Sequence, residues 1–307
     1  MLLVCYNVIN RNNPPVYVLL NRTYTSETES LTRFSSIENK CETFDFWFYN
    51  WFVGYTDGDG CFSIYTNLKS KKINLTFKLS QRVDNIQVLY YMKKQLKVGK
   101  VRKDKNNMAH YLIRDLNSLK SVIIPLFDKY SLKTIKQQSY KVFKESINIW
   151  ENKFLNQNEK IFKIEQLKFF YTQINFEYSN VFFKELFITK PWIIGFVEAE
   201  GSFYLTEKDK NKRIVHGFSI TQKYDKVILL ELAKILRIKA HVKLNKKGFF
   251  SLDSTNYNDL KFIKKYFFKT MKSNKSLIYR IWSRSFRNRG QYIKLKKIKS
   301  TLNQMKV

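Results

Sequence analysis

The chain is short of several things, and each shortage removes a class of protein. Acidic residues are outnumbered: 25 Asp and Glu stand against 56 Lys and Arg, a formal net charge of +31 over 307 residues. A chain so one-sided repels itself, which points to a polyanionic partner. The plainer reading is a solvated Lys-rich surface of the kind found where a genome over-uses Lys, Asn, Ile, Phe and Tyr. Cysteine is scarce: Cys5, Cys41 and Cys61 show no CxxC spacing. They make neither a disulfide framework nor a zinc site, and they point to a reducing compartment. No apolar run approaches the ~20 residues of a membrane span. The start, MLLVCYNVIN, lacks the basic lead of a secretory signal. Residues 12–40 are polar, with Pro14-Pro15 and many Ser and Thr, so 1–44 reads as a poorly ordered leader. What is plentiful is apolar character, 44% of residues, enough for a real core.

One unusual string is written twice. Residues 51–60 read WFVGYTDGDG and 192–201 read WIIGFVEAEG, which places Asp59 and Glu200 at equivalent positions 141 residues apart. The likeness continues downstream. FKLSQRVD (77–84) matches FSITQKYD (218–225), so that Gln81 and Gln222 each follow their acid by 22 residues. LKTIK (132–136) matches MKSNK (271–275) at an offset of 139. Two copies at so long a period indicate a tandem duplication rather than a solenoid.

Each half predicts the same order of elements. A helix comes first, over 45–58 and 189–199. A period-two pattern follows: Ile73, Leu75, Phe77 and Leu79 face one way, and Lys72, Asn74, Thr76 and Lys78 the other. Ile214, Phe218 and Ile220 repeat this, with Arg213 and Ser219 outward. Asp84 and Asp225 look like N-caps of helices carrying Ile86, Leu89, Met92 and Leu96, and Ile228, Leu232 and Ile235. Hairpins turn near Lys105-Asn106 and Lys247-Gly248. Closing helices fall near 118–150 and 257–287. Strand–helix–strand alternation is absent, so the sheets are expected to be antiparallel, an α+β unit used twice. The domains are then a leader 1–44, a first half 45–150, a linker 151–187 and a second half 188–300.

In the first helices, Gly54 and Gly58 share a face, as do Gly195 and Ala199. Small residues at this spacing let another backbone approach closely, which favours packing of the two helices on each other; the alternative is that each packs on its own sheet. Asp59 and Glu200 then fall at helix C-termini, where a carboxylate meets the negative end of the dipole at a cost of about 0.3–1 kcal/mol. Two such ends brought together add like-charge repulsion. A shared divalent cation reverses the sign of every term, and hard oxygen ligands that must also accommodate phosphate suit Mg²⁺. An EF-hand reading of TDGDG fails, because position 12 of that loop is Leu68 rather than Glu. Asp57 and Glu198 read as capping or supporting groups. An acid pair flanked by cationic sheets suits metal-assisted phosphodiester cleavage. In that scheme Gln81 and Gln222 orient water, and Lys133 and Lys272 offset developing charge. A satisfied strand-end amide and an exposed helix-start charge are the structural alternatives for these two pairs.

GYTDGDG and GFVEAEG resemble the paired motifs of LAGLIDADG homing endonucleases, the single-chain branch with two motifs, over about 45–287. The resemblance implies two pseudo-symmetric αββαββα halves. Their antiparallel sheets form a DNA-binding saddle, and the motif helices lie at the interface. It assigns the metal to Asp59 and Glu200, the strand-end glutamines to Gln81 and Gln222, and a basic residue to Lys133 and Lys272. For the last pair, local gaps leave Lys136 and Lys275 as alternatives. Val53, Thr56 and Ile194 depart from the family's small or aliphatic residues at packing positions and leave the acids intact.

Strand parity names the expected DNA contacts: Ser63, Tyr65, Asn67, Lys69, Lys72, Asn74, Lys78, Arg102 and Arg114 in the first half. In the second they are Tyr204, Thr206, Lys208, Arg213, Ser219, Lys243 and Asn245. The expected activity is Mg²⁺-dependent, site-specific cleavage of double-stranded DNA at a long asymmetric site, by a monomer encoded in a mobile group I intron. The alternative is an RNA maturase that helps its own group I intron splice. Biased composition and family habit point to a mitochondrion, and no membrane partner is expected.

Overall fold

The structure is a computed structural model that describes residues 45–174, 187–209 and 213–305. The expected leader lies outside the described residues. Helix α1 spans 45–59, and strand β1 (Gly60–Asn67) leaves it without a loop. The chain turns back as β2 (Lys72–Arg82), runs along α2 (Ile86–Leu96), and returns through β3 (Lys100–Lys103) and β4 (Met108–Ile113). Helices α3 (Leu116–Ser118) and α4 (Ile124–Lys129), joined by a π-turn at Leu119–Ile123, and then α5 (Lys136–Glu151) close the first half. The second half repeats this order: α7 (Lys190–Glu200), β5 (Gly201–Lys208), β6 (Arg213–Gln222), α8 (Lys226–Ile235), β7 (Lys243–Leu244), β8 (Phe250–Ser254), α9 (Tyr257–Tyr266) and α10 (Lys275–Ser285). Each sheet is antiparallel, ordered β1-β2-β4-β3 and β5-β6-β8-β7.

Alternation fixes which sheet face is covered. Ile73, Leu75, Phe77 and Leu79 are buried, and so are Phe203, Leu205, Phe218 and Ile220. Helices pack on that face: α2 and α5 in the first half, α8 to α10 and the later α11 (Tyr292–Gln304) in the second. The duplication is written into the core. Phe62 meets Phe77, Phe127 and Tyr140 at ring-centroid distances of 5.4, 5.3 and 5.5 Å. Phe203 meets Phe218, Phe267 and Tyr279 at 5.2, 6.0 and 5.3 Å. Aromatic pairs of this kind add about 0.5–1.5 kcal/mol each beyond the area they bury.

Three features depart from the pattern read in the sequence. The segment expected to be a linker carries α6 (Gln157–Ile174), which packs on α5 and β1. Glu165 of α6 accepts from the Thr66 hydroxyl. A further helix, α11 (Tyr292–Gln304), packs on β5 and β6 beyond the expected closing helix. Asp84 is not an N-cap: it belongs to a 3-10 turn, Val83–Asn85, and pairs with Arg82 at 3.4 Å. Asp225 does occupy the N-cap of α8, yet its carboxylate turns away from that helix. It accepts from the Ile135 N–H at 2.8 Å, in the other half of the molecule.

Candidate active site

Glycine sets the first contact of the site. A Cβ on Gly54 would strike the Trp192 backbone carbonyl, and one on Gly195 would strike the Trp51 carbonyl. A Cβ on Gly58 would strike the Ala199 side chain and come within 3.1 Å of Glu200 Cγ. Helices α1 and α7 therefore pack on each other along the small-residue faces, the first of the two arrangements the spacing allowed. Because both helices end where they meet, Asp59 and Glu200, the last helical residue of each, arrive in one place.

The supporting acids are used across the interface. Asp57 is 2% exposed and Glu198 3%. Asp57 accepts from the indole N–H of Trp192 at 2.8 Å, and Glu198 from that of Trp51 at 2.6 Å. Each also caps the loop before its own closing helix. Asp57 takes the N–H groups of Lys133 and Thr134 (2.9 and 3.1 Å) and the Thr134 hydroxyl (2.6 Å). Glu198 takes the N–H groups of Lys272 and Ser273 (2.7 and 2.5 Å). Burial pushes both carboxyls up and these donors pull them back. The tryptophans were invisible as polar groups in the sequence, since Trp in an apolar run reads as packing. The available signal was their recurrence at the same offset as the acids.

At the centre the carboxyls of Asp59 and Glu200 are both raised, chiefly by burial. Gln81 Nε2 donates to Asp59 at 2.6 Å, and Gln222 hydrogen-bonds Glu200. Asn85 Nδ2 donates to Gln81 Oε1 at 2.7 Å, so both ends of the Gln81 amide are engaged. The charge of Asp59 raises Glu200 further, as neighbouring like charges do. Two ammonium groups oppose this for both acids, Lys136 and Lys275.

Those lysines differ from the pair first named. Lys133 and Lys272 give their backbone N–H groups to Asp57 and Glu198, and the Lys272 ammonium lies 4.9 Å over the Trp47 ring. Lys136 Nζ instead donates to the carbonyls of Thr56 and Gly58 at the end of α1. Lys275 Nζ donates to Val197 at 3.3 Å, Ala199 at 3.2 Å and Gly201 at 2.6 Å, at the end of α7. Each lysine neutralises the negative end of a helix that terminates in an acid.

A divalent cation fits this donor set. Two buried carboxylates supply hard oxygens, and their mutual repulsion is relieved by a shared positive charge. Mg²⁺ keeps several waters and binds through one or two carboxylates plus substrate phosphate. Among the described residues no cluster of three or more His, Cys, Asp and Glu is arranged to hold a metal, and the two carboxylates are what the described part of this site offers.

The candidate DNA contacts fall on the uncovered faces of the sheets. Ser63, Tyr65 and Asn67 on β1 stand opposite Thr76, Asn74 and Lys72 on β2, with Lys78 and Arg102 on the same face. Arg114 follows the end of β4 and Lys69 lies in the β1–β2 turn. Tyr204, Thr206 and Lys208 oppose Gly217, Val215 and Arg213, with Ser219 and Lys243 beside them. Five of these side chains have partners within the protein: the Tyr65 hydroxyl accepts from Asn67 Nδ2 at 3.2 Å, the Tyr204 hydroxyl donates to Asp253, and the other three are Asn67, Asn245 and Arg213. Asn67 Oδ1 accepts from Ser70 N and Asn245 Oδ1 from Lys247 N and Phe249 N, so both shape hairpin turns. Arg213 pairs with Asp209 at 2.9 Å. Parity also places His110 on the open face, against Ser80 at 2.9 Å and Asp104 at 3.1 Å; the sequence reading did not include it.

Two pseudo-equivalent αββαββα units, joined through their first helices with one acid from each at the junction, define the class: a single-chain pseudo-dimer with one composite site. Residues 52–147 and 193–286 match the family model described as LAGLIDADG endonuclease. This chain belongs to the LAGLIDADG endonuclease family. It is 37% identical over 286 residues to the probable intron-encoded endonuclease Cox1-I1b of Schizosaccharomyces pombe, covering 90% of this chain and 73% of that one. It is 30% identical over 176 residues to the uncharacterized mitochondrial protein RF1 of Saccharomyces cerevisiae, covering 57% and 35%. Among solved structures it resembles the meganuclease I-SmaMI bound to uncleavable DNA, with a TM-score of 0.72, 21% identity, and coverage of 83% and 98%. That protein has also been solved on its uncleaved target with calcium ions.

Proposed function

We propose that the chain is a site-specific, Mg²⁺-dependent DNA endonuclease encoded by a mobile group I intron and acting in a mitochondrion. The observation that carries this reading is the meeting of Asp59 and Glu200 at the ends of two helices in van der Waals contact. Stability alone does not select that arrangement, since burial and mutual repulsion both disfavour the charged forms.

Asp59 and Glu200 would hold the cation, which when bound supplies Lewis-acid polarisation of the phosphoryl oxygen and eases loss of a proton from water. Gln81 and Gln222 hydrogen-bond the two carboxylates and so orient them. Lys136 and Lys275 hold positive charge close to both acids, where it offsets charge developing on the phosphate. The open faces carry Lys72, Lys78, Arg102, Lys208, Arg213 and Lys243, which supply phosphate contacts and orient the duplex as a saddle would. The mitochondrial assignment rests on the relatives, one named for a Cox1 intron and one a mitochondrial protein. No observation among the described residues favours the RNA-maturase alternative.

The test uses duplex DNA spanning the intronless exon junction, with Mg²⁺. Asp59→Asn and Glu200→Gln are expected to abolish cleavage of both strands while leaving affinity within about tenfold, or 1.4 kcal/mol. Cleavage that persists in either variant refutes the site.

A further inference from the structure

On the open face of the second sheet the structure assigns base reading to an acid: we infer that Asp253, held by Tyr204, recognises a cytosine in the DNA half-site under that sheet. The inference rests on the nuclease reading above and adds a specificity determinant to it.

The register fixes the location. Asp253 lies opposite Ser219, and its neighbours Leu252 and Ser254 are buried, so Asp253 points to the uncovered side. Tyr204 lies on the same face, opposite Gly217. A Cβ on Gly217 would collide with Tyr204 Cζ, Cε2 and the hydroxyl, which means that the ring lies flat across that glycine. Lying flat brings the hydroxyl to Asp253, where it donates to Oδ2. The Tyr204 backbone is fixed in turn, because the Trp282 indole N–H donates to its carbonyl at 3.1 Å. Tyr204 thus acts as a strut for the acid more than as a base contact of its own, which changes the role that strand parity first suggested.

A carboxylate is out of place on this surface. Among the strand residues that share the face, Asp253 is the one acid, and the face also carries Arg213, Lys208 and Lys243. Among the described residues no Lys or Arg pairs with it. It cannot contact phosphate, which would repel it. It can accept a hydrogen bond from an exocyclic amine in the major groove. Cytosine offers N4–H₂ with no adjoining acceptor on the same base. Adenine sets the N7 lone pair beside N6, facing the carboxylate. With Oδ2 occupied by Tyr204, Oδ1 remains to accept from N4. Fixing the carboxylate in advance reduces the ordering cost of a single contact.

The experiment selects cleaved sequences from a randomised duplex library, using the full chain with Mg²⁺. Wild type is expected to enrich a site with cytosine at one position of the half-site under the second sheet. Asp253→Ala should lose about tenfold of that preference at this position only, the usual weight of one base contact. Asp253→Asn should move the preference toward adenine, the base an amide pairs with. Tyr204→Phe should weaken it without touching other positions. An Asp253→Ala variant whose preference is unchanged everywhere, or reduced equally at every position, overturns the inference. A wild-type chain that enriches no sequence overturns the nuclease reading itself. Asp253 is exposed, so its variants are expected to melt with wild type, which separates recognition from folding.

Discussion

Two acids of TDGDG lie two residues apart and are expected to respond in opposite ways to the same isosteric change. Consider Asp57→Asn. The carboxylate accepts four hydrogen bonds: Oδ2 from Lys133 N and the Trp192 indole, Oδ1 from Thr134 N and the Thr134 hydroxyl. An amide keeps one oxygen. Whichever way it is placed, its NH₂ faces two donors. The Thr134 hydroxyl can rotate to accept, so the better orientation directs NH₂ toward Thr134 and leaves one buried backbone N–H facing another donor. An unsatisfied buried group costs about 1–3 kcal/mol, and the bonds that remain lose their charge assistance, worth about another 1 kcal/mol. Relief of the desolvation that raises the Asp57 carboxyl returns part of this. The expected net loss is about 2–3 kcal/mol, or roughly 5–10 °C in Tm for a body of this size. Asp59→Asn removes one of two repelling carboxyls and gives up one strong acceptor bond, so its Tm should match or exceed wild type. Thermal denaturation of the two variants beside wild type, without divalent ions, checks the contrast. An Asp57→Asn melting point within 2 °C of wild type (about one kcal/mol or less) refutes the assignment of Asp57 as the structural acid, as does a large loss for Asp59→Asn.

Further expectations concern charge. Lys136→Met and Lys275→Met should each lower cleavage at saturating DNA by roughly a hundredfold or more, as removal of a preorganised electrostatic group does. Lys133→Met should cost far less, because Asp57 uses its backbone; equal losses in single-turnover assays would contradict this division. His216 is 5% exposed, lies tilted against Phe286 with ring centroids 3.9 Å apart, and is pushed down to about 4, mainly by burial. Its unfolded value is near 6.5. The folded form resists protonation, so its contribution is complete above about 6.5 and is lost as pH falls toward 4. The full span is about 3 kcal/mol. His216→Gln should flatten the stability curve between those limits in urea titrations, and an unchanged slope refutes the assignment. DNA affinity should fall steeply with salt, losing roughly 10³-fold or more between 50 and 200 mM if six or more phosphates are contacted. A shallow dependence in a binding titration would remove the open sheet faces as the DNA surface.

Much of this architecture is legible because two kinds of periodicity coincide. Alternation along 72–80 specifies the covered face of β2, and the repeat transfers that answer to β6. The glycine spacing in α1 and α7 predicts a helix-on-helix contact, and a single contact brings Asp59 and Glu200 together. What escaped has physical reasons. Lys133 and Lys136 both recur at an offset of 139, so the repeat cannot separate them. Only the start of α5 at Lys136 decides which ammonium faces the end of α1. Helix α6 carries its apolar residues without a stripe, and composition alone reads it as a linker. Asp225 occupies an N-cap position as expected, but its carboxylate serves a loop 90 residues away, a long-range partnership that local pattern does not encode. Asp253 lies in a strand of five residues, too short for alternation to stand out.

The exchanged indole bonds carry a consequence for anyone recombining the halves of such chains. Trp51 is matched to Glu198 and Trp192 to Asp57, so each lobe leaves a deeply enclosed indole donor that the acid of its own companion answers. A chimera that joins one lobe to a foreign mate must bring this four-residue lock along, or it will inherit two mismatched keys at its seam.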